Sequence, residues 1–166
     1  MNTKKIVLFL LYSCIFTGLF AQSNLTTIQK DFQNEIINFL KEEGYVPSLE
    51  NETIKFKSEG ENHWIRISSE SPFFVAFQRA GYTLEGEKGL NRDNSLLACN
   101  EVNREMNAAK LYCTDKSVIF TIEQYTRSAE DFKFVFYKNL KILAETEKKF
   151  LEKYDALEQN GSEDSK

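Results

Sequence analysis

Apolar residues recur every third or fourth position from Leu25 through Ile28, Phe32, Ile36 and Phe39 to Leu40, the spacing that gathers side chains on one face of a helix. Asp31, Glu35, Lys41 and Glu42 occupy the opposite side, and Gly44 stands where a left-handed residue ends a helix. The pattern predicts a first helix over about 25–43. It then switches to alternation: Ile54 and Phe56, then Ile65 and Ile67, then Phe73, Val75 and Phe77. Stretches of turn composition at 59–62 and 68–72 separate these runs, which predicts three antiparallel strands with one face buried and one wet.

Residues Gly81 to Gly89 read as a loop, with Tyr82 to Leu84 able to prolong the third strand. Asp93 or Asn94 then caps a second helix whose apolar face takes Leu96, Cys99, Val102 or Asn103, and Met106. Leu111 and Cys113 fall on one side of a fourth strand. After a turn at 114–117, Val118, Phe120 and Ile122 line its return partner. Ser128 and Asp131 form a capping-box signature ahead of Phe132, Val135, Phe136, Leu140, Leu143, Phe150 and Tyr154, a helical stripe predicting a long last helix to about 154. Residues 158–166 carry little to bury and read as a disordered acidic tail. The order is α-β-β-β-α-β-β-α, an α+β fold with an antiparallel sheet and helices packed on one face.

The N-terminus changes the picture of where this domain works. Lys4 and Lys5 precede an apolar run from Ile6 to Ala21, the charged and hydrophobic regions of a secretory signal. Tyr12, Ser13, Thr17 and Gly18 interrupt it short of the roughly 20 residues that span a bilayer. The expectation is a signal peptide over 1–21, a single domain over 22–157 and a periplasmic or secreted product. Leu11-Tyr12-Ser13-Cys14 is a loose lipoprotein motif that fits less well, because Tyr12 is bulky and the apolar run continues past Cys14. Without residues 1–21 the chain has 19 basic and 25 acidic residues, a net charge of −6. That balance argues against nucleic acid, whose binding needs a basic stripe, and provides no polybasic membrane patch.

Candidate chemistry is sparse. His63 is the one histidine, with no second ligand at metal spacing, and reads as a half-exposed strand residue. Glu42/Glu43, Glu59/Glu61 and Glu85/Glu87 lie at helix ends or glycine-bearing turns, where solvated charge is the default. Neither a phosphate loop, a nucleophile elbow nor a calcium loop is present. No cofactor, metal or catalytic residue is assigned, and an enzyme is not expected.

Aromatic residues outside the apolar stripes are the better candidates. Trp64, Phe74 and Tyr112 fall on the sheet face opposite the inward set, and Phe134 and Tyr137 on the flank of the last helix. They form a candidate surface for a protein partner or a homodimer; the other reading is a core broad enough to absorb them. Cys99 and Cys113 reach similar depths when a helix rising about 1.5 Å per residue turns back into a strand rising about 3.3 Å per residue. Their lateral separation lies near the roughly 7 Å limit for a disulfide, which leaves a bridge and two neighbouring buried thiols both open.

Gly44-Tyr45, Ile54-Lys-Phe-Lys57, Asn100-Glu-Val-Asn103 and the hairpin after Lys110 together resemble the YbjN-like family of bacterial sensory-transduction regulators over about 25–155. That family is similar in fold to the type III secretion chaperones. The resemblance implies a binding or regulatory module holding another polypeptide on its sheet or helix surface, and carries over no catalytic residue. Asn100 and Asn103, one turn apart, read as hydrogen-bonding to neighbouring backbone, with a direct partner contact as the other reading. A signal peptide departs from the cytoplasmic secretion chaperones. The alternative to a non-enzymatic module is a small enzyme or ligand carrier with its pocket between the sheet and the Gly81–Gly89 loop.

Overall fold

A computed structural model describes residues 25–163 apart from Pro72, so residues 1–24, with the expected signal peptide, and the last three residues lie outside the described residues. Helix α1 covers Thr27–Glu42, α2 Arg92–Glu105 and α3 Ala129–Glu163. The strands are β1 Ser48–Glu50, β2 Thr53–Ser58, β3 Glu61–Ile67, β4 Phe74–Thr83, β5 Lys110–Cys113 and β6 Ser117–Tyr125. They form one antiparallel sheet in the order β1-β2-β3-β4-β6-β5. Its inward face, with Ile54, Phe56, Ile65, Phe77, Phe120 and Ile122, packs against the helices in a single core. The α+β class and the one-sided helix layer are as the periodicity predicts.

Capping explains where α1 begins and ends. The Thr26 hydroxyl accepts from the Gln29 N–H while the Gln29 side chain accepts from the Thr26 N–H at 2.6 Å, a reciprocal box. At the other end Gly44 sits at φ +86°, and the Tyr45 N–H returns to the Leu40 carbonyl at 2.9 Å, as a left-handed cap requires. Ile28, expected inward, is 61 % exposed. Gln29 and Gln33 take the buried line instead, because their side-chain amides donate to the Ser68 and Glu52 carbonyls at 2.6 and 2.7 Å and tie α1 to two sheet turns.

Strand β1 is absent from the sequence-derived order. Its three residues are all exposed, so no alternation marks it. A two-residue turn of left-handed Asn51 and Glu52 pairs it with β2, and left-handed Glu59 and Gly60 do the same for β2 and β3. Strand β4 does run on to Thr83. Its register with β6 shifts between Ala80 and Thr83, where a Cβ on Gly81 would lie 1.8 Å from the Val118 carbonyl oxygen. Only glycine admits that approach.

Helix α2 starts two or three residues earlier than expected: Asn91 is the cap, accepting from the Asn94 N–H at 3.0 Å, and its own N–H donates to the Tyr154 hydroxyl at 2.8 Å. With that start the buried set becomes Ser95, Ala98, Cys99 and Val102, and Leu96 turns outward. Helix α3 opens on Ser128, whose hydroxyl accepts from the Asp131 N–H. It continues to Glu163, so the segment from 158 is helical at its start rather than a tail from the outset. Extending an existing helix costs far less than nucleating one, and Glu158 is held by the Asn94 side-chain amide.

Candidate functional site

Strand register decides which side chains leave the core. Lys55, Trp64, Gln78, Thr121 and Lys110 lie in one row across five strands, all on the face away from the helices. Tyr112, paired with Ile119, and Phe74, paired with Tyr125, share that face. The centre of this uncovered face is nevertheless close-packed: Ala76, Gln78 and Thr121 are buried, and the Gln78 amide donates to the Tyr112 hydroxyl at 3.2 Å. At one end the Phe74 and Tyr125 rings meet edge to face at 5.0 Å, leaving Tyr125 76 % exposed. Lys57, Arg66 and Lys110 stand exposed around this apolar area, with Glu50 and Glu123 as its acids. Tyr125 was missed by sequence reasoning. It has the same parity along β6 as Ile119 and Thr121, opposite to Val118, Phe120 and Ile122, and that alternation was the available signal.

The five aromatics singled out from the sequence do not form one surface. Trp64, Phe74 and Tyr112 share the outward sheet face, whereas Phe134, 90 % exposed, and Tyr137 stand on α3 in the helix layer. Tyr137 donates to the Glu43 carboxylate beyond the end of α1, a bond that pushes its hydroxyl up to about 12.

His63 departs from its expected half-exposed position. The tight Glu59-Gly60 turn pairs it with Phe56, which directs it inward, and its ring stacks on Phe56 at 5.3 Å. Burial, reinforced by the Arg79 charge, holds the imidazole below its ordinary pKa, against a hydrogen bond from Nδ1 to the Glu61 carbonyl at 3.2 Å. Beside it Arg79 of β4 pairs with Glu147 of α3 and approaches Glu61 at 3.8 Å. The Tyr82 hydroxyl also donates to Glu147, at 2.9 Å; burial first and this bond second raise Tyr82 to about 12. A cavity of about 320 Å³ adjoins the cluster, lined by Tyr45, Ser58, His63, Arg79 and Tyr137 among others. His63 and Arg79 both have structural partners, and the arrangement clamps α3 onto the sheet.

A larger recess of about 700 Å³ opens where β1 stops pairing, between Val46 and the Lys55–Lys57 edge of β2, with Trp64 at its rim. Neither of these two recesses is lined by the loop at 81–89. Leu84 and Leu90 on either side of its tip pack against the core, and the Leu90 N–H bonds back to the Thr83 carbonyl at 2.9 Å. Among the described residues no cluster of three His, Cys, Asp or Glu could hold a metal, and no helix is long and apolar enough to cross a membrane.

At the far sheet edge, Asn103 of α2 bonds to neighbouring backbone as expected, while Asn100 stands exposed. The Asn103 amide accepts from the Leu111 N–H and donates to the Leu111 carbonyl, both at 2.8 Å, so a side chain satisfies the edge strand's backbone. One turn earlier, Cys99 meets Cys113 with 3.7 Å between sulfurs, both as free thiols.

No protein-family model matches the chain, and no curated protein matches it in sequence. Among solved structures, it is similar to the crystal structure of YbjN from E. coli with a TM-score of 0.53 and 9 % identity, over 68 % of this chain and 86 % of that one. At that identity the likeness is one of architecture, and it gives the chain a YbjN-like α+β fold.

Proposed function

We propose that the chain is an exported, non-enzymatic binding module that holds another protein against the outward face of its sheet. The observation that carries this reading is the face itself: six strands, no covering helix among the described residues, and Trp64, Phe74, Tyr112 and Tyr125 framed by Lys57, Arg66 and Lys110. Aromatic anchors inside a charged rim are the usual anatomy of a protein-binding patch. A regulatory role is consistent with the YbjN-like fold, which supports the module class without naming a partner.

Photo-crosslinking tests the surface directly. A benzoylphenylalanine replacing Tyr125 is expected to capture a protein in the native cell envelope, and one replacing Phe134 is not. Capture of a second copy of the chain would make the module a homodimer through this face. Crosslinks from position 134 alone, or from neither position, overturn the reading.

A further inference from the structure

Cys99 projects from α2 and Cys113 from β5, the two elements that meet at the sheet edge Asn103 already secures. Cys99 is buried, while Cys113 is only partly so and gives a soluble reagent access. A gap of 3.7 Å is van der Waals contact between sulfurs, and reaching the roughly 2.05 Å of an S–S bond takes a shift of under about 2 Å.

We propose that Cys99 and Cys113 are a dithiol that an external disulfide oxidises to an intramolecular bridge, stapling the β5 edge to α2. The more accessible Cys113 attacks as a thiolate, forms a mixed disulfide with one oxidant sulfur and expels the other as a thiol. Cys99 gives its proton to solvent and attacks the Cys113 sulfur, releasing the second oxidant thiol. Two protein S–H bonds and one oxidant S–S bond are lost, one protein S–S bond and two oxidant S–H bonds form, and two electrons pass to the oxidant.

Burial, and then the neighbouring Cys113 sulfur, push the Cys99 thiol up, so the second step is the slow one and quickens as pH rises. The bridge adds a covalent tie to the two hydrogen bonds of Asn103. An edge held in that way cannot peel off to accept a foreign strand, the hazard every open sheet edge carries. This inference is independent of which protein the outward face binds.

The test uses the full chain carrying Cys14→Ser, so that Cys99 and Cys113 are its only thiols, with glutathione disulfide as the oxidant. Trypsin digestion without reduction is expected to yield peptide 93–104 linked to peptide 111–116. Thiols titrated in denaturant fall from two to none, the thermal midpoint rises, and dithiothreitol reverses both. In Cys99→Ser, a glutathione adduct should persist on Cys113, since nothing resolves it. Two reactive thiols after oxidation, disulfide-linked dimers, or glutathione adducts as the final product of the Cys14→Ser chain overturn the proposal. If adding Cys99→Ser prevents folding, the peptide map of the Cys14→Ser chain alone decides.

Discussion

His63 shows how one residue's register sets a measurable property of the whole domain. In the unfolded chain its imidazole titrates near 6.5, whereas the folded ring, buried against Phe56 and close to Arg79, is held lower. Above about pH 7 both states are neutral and the residue adds no pH dependence. As pH falls through 6.5 the unfolded chain takes up a proton that the folded chain resists, so stability declines until the folded pKa is passed. His63→Phe keeps a ring on Phe56 and removes the titration. Urea melts of wild type should lose stability as pH falls from 7 to 5, and His63→Phe should lack that part of the slope. Equal slopes would show that the ring protonates freely in the fold. The sequence could not anticipate this. Position 63 follows Glu59-Gly60-Glu61-Asn62, and whether it faces in or out depends on a turn of two residues rather than three or four, since a slip of one reverses every side chain. Gln29 and Gln33 escaped for a related reason: two glutamines on a helix read as solvated until the carbonyls they serve, on Ser68 and Glu52, are brought near by the sheet.

At the scale of elements, long periodic segments were legible and their ends were not. The stripe from Phe132 to Tyr154 fixes α3 as a helix on its inward face alone, and the alternation of Val118, Phe120 and Ile122 fixes β6. Strand β1 has no apolar alternation to read and exists because its turn pairs it with β2. The α2 cap shifted to Asn91 because Tyr154, sixty-three positions away, receives its N–H. The contact joining α3 to β4 was equally invisible, since Arg79, Tyr82 and Glu147 are ordinary polar residues until the fold assembles them. Arg79 and Glu147 are both largely buried, and the Arg79 Nε has no hydrogen-bond partner, so the guanidinium depends on its carboxylates. Glu147→Gln leaves Arg79 with the more exposed Glu61 at 3.8 Å. Removing one member of a largely buried pair in this way should cost about 3 kcal/mol. Chemical denaturation would measure it, with Lys153→Gln, at an exposed pair with Glu105, expected to change little. A loss for Glu147→Gln no larger than for Lys153→Gln would mean that the clamp is screened by solvent and contributes nothing particular to α3 docking.

For the whole molecule, the boundary between the expected signal peptide and the domain bears on the proposed export. The expected signal peptide lies outside the described residues; among those described, Leu25 is the first buried side chain, and Thr26 caps α1 immediately after it. A cut after Ala21 would leave Gln22, Ser23 and Asn24 ahead of that first buried side chain, which preserves the capping box and every residue of the core cluster. A lipoprotein cut before Cys14 would keep Ile15, Phe16, Leu19 and Phe20 attached as an apolar extension. Intact-mass analysis of chain recovered from the producing cell's envelope or medium is expected to give a species starting at or within a residue or two of Gln22. It should carry no lipid and only the thiols of Cys99 and Cys113, free or bridged. A diacylglyceryl-modified Cys14, or an uncut chain beginning at Met1, would remove export as a soluble protein. The outward sheet face would then have to find its partner at a membrane surface or inside the cell.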